Sequence, residues 1–374
     1  MALEKNNLKL CIFTGSPIQN LGGAEKDAIG VAKILGDVII CCPGKEEKEY
    51  VYDGVSIVSF KSHTIRLLKD QISFSRININ KEFTAVYVMN QGFLLNRRIL
   101  RRCLKLGIKY IQGIHSPSAL ALEPDEKVKW KVFLHFFFRM YRDSFLKKIP
   151  NFRVQNKDDY KRLLEINPKA RIFQFPPYVF DPPKRIKYNN KFTVLWVSRM
   201  QREHKGLDLL KNIVINANKE IEFHIVGNGP DRYLLEDIEN QNVKILGSVD
   251  EYQLRTEFSN ADLFLSTSSG ENFGIAVAEA CVSGLAVVSM PVMGIKEILE
   301  FHPYKHIGLV KKASSLMEQV EIFIHAIDDF YNIRNILEKS RSEISNFFHE
   351  KFNVKLLKQS WINMIDQSKL TIDE

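Results

Sequence analysis

Two glutamates frame an apolar segment in the second half of the chain. Glu271 opens the stretch ENFGIAVAEA, and Glu279 lies eight positions further on. Eight helical residues rise about 12 Å. Two carboxylates so spaced hold opposite ends of an extended ligand rather than one atom. Between them the amides of Phe273, Gly274 and Ile275 fall at a helix start. N–H groups there lack intrahelical acceptors and, with the helix dipole, seat a phosphate. The same pattern also fits an ordinary helix whose acidic N-terminus is stabilised by its dipole. The residues alone leave both open.

Three further groups have chemical potential. Arg199 and Lys205 share one loop, SRMQREHKG, after an apolar run. Two cations at the carboxyl end of a strand neutralise a leaving diphosphate, although basic loop residues are commonly just solvated. Gly22-Gly23 sits at the first strand-to-helix turn, where glycine lets a phosphate approach the backbone. His115, in IQGIHSP, follows another apolar run and can hydrogen-bond a substrate, or serve as a plain loop residue.

These residues need elements to position them. Leu8–Thr14 is a short apolar run, followed by a helical face of Ala24, Ala28, Val31, Ala32 and Leu35. Val38–Cys42, Val55–Phe60, Ala85–Met89 and Lys109–Gly113 read as further strands. The second half starts over with Phe192–Val197, Ile221–Val226, Val243–Leu246, Leu263–Ser266 and Ala286–Met290. Strands alternating with helices predict parallel sheets covered on both faces. Pro176-Pro177, Pro182-Pro183 and the polar stretch to Asn190 read as a linker. The expected domains are residues 1–183 and 184–354, with a final helix in 355–374.

A chain of 374 residues suits two domains, and 45% hydrophobic with 26% charged residues excludes a disordered protein. Five cysteines without a C-x-x-C suggest buried thiols in a reducing compartment and no metal site. The polar first residues and the lack of an 18-residue apolar run lead to an expected cytoplasmic location. The net charge of +9 suits phosphate-rich partners, among them nucleic acid, anionic lipid or a pyrophosphate. No nucleic-acid-binding motif accompanies it, so no nucleic-acid partner is expected, and a basic nucleic-acid-binding protein stands only as a weaker alternative.

Taken together, the segments GGAEK (22–26), VSRMQREHKG (197–206), IVGNGP (225–230), ILGSV (245–249) and ENFGIAVAEA (271–280) resemble retaining glycosyltransferase family four. The resemblance covers nearly the whole chain, and the E-x7-E segment is its most specific part. It implies an α/β chain of GT-B type: two facing Rossmann-like domains with a central cleft, the C-terminal helix crossing back to the first. The implied reaction moves a sugar from a nucleotide-sugar to a hydroxyl acceptor, with retention and without metal or other cofactor. The implied catalytic residues are His115, Arg199, Lys205 and Glu271. The implied donor-binding residues are Gly22, Gly23, Gly247, Asn272, Phe273, Gly274, Ile275 and Glu279. Glu271 would meet sugar hydroxyls, Glu279 the ribose, and Gly247 the base. Met293-Gly294-Ile295-Lys296-Glu297 departs from the Gly-Gly that often precedes a later glutamate in the family.

The expected partners are a UDP- or GDP-sugar and a glycan or lipid-linked acceptor, as in surface polysaccharide, lipopolysaccharide or glycolipid synthesis. A related enzyme with a soluble acceptor (a sucrose- or trehalose-type synthase) or a nucleotide-sugar epimerase would share the donor site. A dehydrogenase is disfavoured, because Gly227-Asn228-Gly229 lacks the third glycine of G-x-G-x-x-G. Residues 127–148 place Trp130, Phe133, Phe137, Tyr141 and Phe145 at helical spacing, with Lys131, Arg139 and Arg142 elsewhere round the helix. Such a helix lies on an anionic membrane, making the enzyme peripheral, or packs into the first domain's core.

Overall fold

The computed structural model describes residues 8–19, 22–65, 70–73, 79–89, 93–115, 140–183, 185, 191–238 and 240–371. The chain forms two compact units, Met1–Tyr178 with Val354–Glu374, and Val179–Asn353.

The first unit is built on a nine-stranded sheet: β1 (Leu10–Phe13), β2 (Val38–Gly44), β3 (Lys48–Tyr52), β4 (Val55–Ile65), β5 (Asp70–Ser73), β6 (Ala85–Val88), β7 (Lys109–Gly113), β8 (Asn151–Val154) and β9 (Arg171–Gln174). Its order is β3-β4-β2-β1-β6-β7-β8-β9, with β5 paired to β4. The strands from β4 through β9 along this order pair in parallel, while β3 and β5 pair antiparallel with β4. Every residue of β1 and β6 is buried, which is why these strands read as unbroken apolar runs.

The helix Val354–Gln367 completes this unit. Leu357, Trp361, Met364 and Ile365 join the core cluster that contains Leu10, Ile12 and Tyr87. Trp361 is fully buried and meets Tyr87 and Phe175 edge-on at 4.8 and 5.7 Å. Lys109 Nζ donates to the carbonyls of Ile365 and Asp366 at 2.8 and 3.0 Å, countering the negative end of the helix.

The second unit holds five parallel strands: β10 (Phe192–Val197), β11 (Ile221–Val226), β12 (Val243–Gly247), β13 (Leu263–Ser266) and β14 (Ala286–Ser289). Their order is β12-β11-β10-β13-β14. Helices Leu207–Asn216 and Leu316–Asn332 bury Leu210, Ile213, Phe323 and Phe330 in its core.

The division between the units falls at Tyr178/Val179, ahead of the expected residue 183. The reason is local. The Phe180 ring packs on Phe258 and Arg255, the Asp181 carbonyl accepts from Arg255, and the Pro183 carbonyl accepts from Ser259. The second proline pair is therefore fastened to the second unit.

The aromatic stretch at 127–148 lies outside the described residues up to 139. Residues 140–146 are helical, Phe145 is buried, and Arg97 stacks on Tyr141 at 4.3 Å. Its described part packs into the first unit's core. Among the described residues no helix is long and apolar enough to cross a membrane.

Candidate active site

The second unit's strand order reverses between β10 and β13, so the crevice for a ligand opens outside their carboxyl ends. After β10, Arg199 sits in a loop and Lys205 ends a single helical turn, Arg202–Lys205, ahead of the helix expected from about Leu207; the loop after β13 carries Ser268 and Glu271. The two segments are locked together. Trp196 Nε1 donates to Thr267 Oγ1 at 3.0 Å, and that hydroxyl donates to the Lys205 carbonyl at 2.7 Å. The Ser269 amide donates to the His204 carbonyl at 3.1 Å. Gly206 has φ +63°, and a Cβ there would lie 2.3 Å from the Thr267 oxygen. Only glycine permits this approach.

So positioned, the Lys205 ammonium pairs with the Glu271 carboxylate. Ser268 Oγ donates to the same carboxylate oxygen at 2.9 Å. The two side chains retain 20% and 23% of their exposure, so a ligand can reach both. Arg199 is exposed in the loop after β10 and makes no ion pair among the described residues.

The helix expected after Glu271 runs Ile275–Val282, with Gly274 (φ +91°) before it. Two expectations shift with that boundary. By position, the amides lacking an acceptor inside the helix are those of Ile275, Ala276 and Val277. Only the four steps from Ile275 to Glu279, a rise of about 6 Å, are helical, so the span from Glu271 to Glu279 is not eight residues of continuous helix. The left-handed turn at Gly274 delays the start, and a Cβ there would press on Ile295 at 2.8 Å. Asn272, Phe273 and Glu279 are all buried, and the Phe273 ring packs against Phe352. At the segment that departs from the family pattern, Gly294 donates its amide to the Glu271 carbonyl at 3.3 Å. A Cβ on Gly294 would lie 2.4 Å from the Asn272 oxygen, so this single glycine is required by packing.

Gly247 ends β12, with φ +68°, and its carbonyl accepts from the Gly227 amide at 2.8 Å. Gly227 and Gly229 have packing roles: a Cβ on either would fall 1.9 and 2.2 Å from the carbonyls of Ser198 and Met200.

Gly22, Gly23 and His115 belong to the first unit. Gly22 precedes the helix Gly23–Leu35, and its amide donates to the Glu25 carboxylate at 3.1 Å. Glu25 thus already places a negative charge at that helix start. His115 follows β7, and both of its ring nitrogens are engaged. Nε2 lies 2.6 Å from Tyr87 Oη and Nδ1 lies 3.2 Å from Gln155 Nε2. Burial, followed by the charge of Arg153, pushes its pKa down to about 3. Any ligand contact through a ring nitrogen requires one of these two bonds to be exchanged.

Sequence reasoning missed the network behind His115. Arg153 and Asp27 form a fully buried ion pair at 2.7 Å. Arg153 also donates to Tyr87 Oη at 3.3 Å and to the Pro176 carbonyl at 2.8 Å. Its guanidinium lies 4.6 Å from the Phe175 ring and 4.8 Å from Trp361. The available signal was the run N-F-R-V-Q-N at 151–156, whose alternate polar residues suggest an exposed strand face. Here both faces are buried.

Residues 191–330 match the family described as Glycosyl transferases group 1. One curated relative is the human phosphatidylinositol N-acetylglucosaminyltransferase, through one of its component chains. The two are 32% identical over 203 residues, spanning 47% of this chain and 41% of the human one. Another is the GtfA component of a UDP-N-acetylglucosamine-peptide N-acetylglucosaminyltransferase from Streptococcus agalactiae, 24% identical over 251 residues and spanning 63% of this chain and 48% of the relative. The chain thus covers under half the length of both. Among solved structures, Anabaena HepE in complex with UDP and glucose superimposes with a TM-score of 0.67 at 15% identity, over 96% of this chain and 99% of that one. The architecture is that of the GT-B enzymes. The likeness to the Glycosyl transferases group 1 family is thus confined to residues 191–330, in the second unit.

Proposed function

We propose that the chain transfers a sugar from a UDP-sugar to a hydroxyl acceptor, with retention at the anomeric carbon and without a metal. The observation that carries this reading is the accessible Lys205–Glu271 pair at the β10/β13 switch point, directly before a helix N-terminus. Lys205 and Arg199 neutralise the diphosphate, and the amides of Ile275 to Val277 bind its oxygens. Glu271 accepts hydrogen bonds from sugar hydroxyls, Glu279 from the ribose, and Gly247 lets the chain pass close to the base. As the anomeric carbon–oxygen bond breaks, negative charge grows on the diphosphate where the two cations already stand. The acceptor oxygen attacks from the same face, and its proton passes to the departing phosphate oxygen.

The relatives' names favour N-acetylglucosamine as the transferred sugar, and the UDP-bound structural neighbour favours uridine as the base. The phosphatidylinositol in the human relative's name favours a lipid-linked acceptor, reached from the cytoplasmic face of an anionic membrane. A donor screen tests the reading. UDP-N-acetylglucosamine and UDP-glucose, against GDP- and ADP-sugars, should release nucleoside diphosphate only when a lipid extract is added. The absence of both binding and release with every UDP-sugar would overturn it.

A further inference from the structure

We propose that the helix Phe93–Leu106 carries the surface by which this chain docks on an anionic lipid bilayer, with its arginines and lysine among the headgroup phosphates. What the docking serves rests on the reading of the acceptor as lipid-linked.

The helix has two faces. Leu95, Ile99, Leu100 and Cys103 are buried in the first unit's core. Arg98, Arg101, Arg102 and Lys105 are exposed. They recur at i, i+3, i+4 and i+7, so they form one stripe on the side away from the core, rising about 10 Å along the axis. Of the described helices with ten residues or more, this one alone carries no Asp or Glu. Arg98 with Arg102, and Arg101 with Lys105, set like charges four residues apart, which disfavours the helix. That repulsion falls when the stripe meets an anionic surface. Arg102 Nε donates to the Ile79 carbonyl at 3.3 Å, a neutral acceptor that holds the side chain without cancelling its charge. Arg97, at the border of the stripe, stacks on the Tyr141 ring and joins this helix to the helical residues 140–146.

The residues at 140–146 do not supply that charge themselves, because Arg142 there is buried and paired with Asp143 at 2.8 Å. Two apolar side chains argue for lipid over nucleic acid. Leu104, three residues beyond Arg101 at the border of the stripe, is 43% exposed, and Met140 in the neighbouring helix is 53% exposed. A headgroup layer takes up both kinds of side chain: apolar groups reach the acyl boundary, while long cations stay with the phosphates. A nucleic-acid backbone offers phosphate and sugar to all of them alike. The helix also lies flat on the core along its length, which suits a plane better than a groove that a helix must enter.

Co-sedimentation of the full chain with vesicles tests this. Vesicles of equal parts phosphatidylglycerol and phosphatidylcholine should carry the wild-type protein down, phosphatidylcholine alone should not, and added salt should release it. The triple variant Arg98→Gln, Arg101→Gln, Lys105→Gln should partition about a hundredfold less, at about fivefold for each basic residue. A second triple variant, Lys219→Gln, Lys312→Gln, Lys339→Gln, loses the same charge at exposed sites of the second unit and should bind like wild type. Leu104→Trp keeps every charge of the stripe, and its added fluorescence should move to the blue on the anionic vesicles. That reporter decides the matter should the first triple variant not fold. The proposal is overturned if the wild type ignores anionic vesicles at low salt, if both triple variants lose binding equally, or if the Leu104→Trp emission stays put while the protein sediments. Binding of duplex DNA through the stripe, with vesicles ignored, overturns it as well. Vesicle binding is read without donor or acceptor, so the two readings fail separately. Docking through the stripe without turnover of any nucleotide-sugar sinks the transferase and leaves the docking surface standing. Turnover by a first triple variant that still binds vesicles sinks the docking surface alone.

Discussion

The two units each hold a cation–carboxylate pair behind the carboxyl ends of parallel strands, and they use it in opposite ways. In the first, Arg153 and Asp27 are fully buried, and the arginine also binds a phenol and a carbonyl. Nothing of that charge is offered outward. In the second, Lys205 and Glu271 keep about a fifth of their exposure, and Arg199 stands exposed nearby. Burying a pair costs desolvation, which mutual attraction offsets only with good geometry and further hydrogen bonds; here Arg153 Nε still has no hydrogen-bond partner among the described residues. An open pair costs little to break, so a ligand can take over either partner. The first pair is architecture, and the second is free to do chemistry.

Breaking each pair should therefore give a different phenotype. Arg153→Met leaves Asp27 buried without its partner and should cost about 3–5 kcal/mol of stability. Denaturant unfolding would read this as a large drop in midpoint, and an unchanged midpoint would erase the contrast. Lys205→Ala should leave the midpoint within about 1 kcal/mol of wild type, yet lower turnover about 100-fold at saturating donor. Near-normal turnover would remove Lys205 from the chemistry.

Smaller effects sharpen the comparison. Glu279→Gln keeps the shape and loses the charge, so UDP affinity measured by calorimetry should fall about tenfold, or about 1.4 kcal/mol. Acid should then act on both units together. His115 and His302 have pKa values held down to about 3 and about 4, in each case chiefly by burial. Both are depressed below the unfolded value of 6.5, so the unfolded chain takes up protons first. Stability is full above that value and falls with pH, by about 2 kcal/mol per histidine at pH 5. Melting curves between pH 7 and pH 5 check this, and His302→Asn should remove its share. The smallest expected change is none: EDTA should leave transfer intact, because the cations and the helix start at Ile275 do a metal's work. Activity lost to EDTA and restored by magnesium or manganese would contradict that.

Much of this protein was legible in its sequence. Buried parallel strands are mostly apolar, so β7, β10, β11 and β13 stood out with both ends correct, although β7 carries Gln112 and β11 carries Glu222 and His224. The strands it concealed carry polar residues. Lys48–Tyr52 is a largely exposed edge strand, and Asn151–Val154 spends alternate positions on Asn151 and Arg153. Local pattern also placed Arg199 and Glu271 in loops after strands, since loop composition and strand ends are properties of short segments, but it missed the helical turn that carries Lys205. Contacts between distant segments are not. Whether a charge is buried or left within reach of solvent depends on which remote residues surround it. Asp27 and Arg153 are 126 positions apart, and Trp361 arrives from the far end of the chain. Only the folded structure could show that His115 is held at both nitrogens, and that the helix after Glu271 waits for Gly274 to turn.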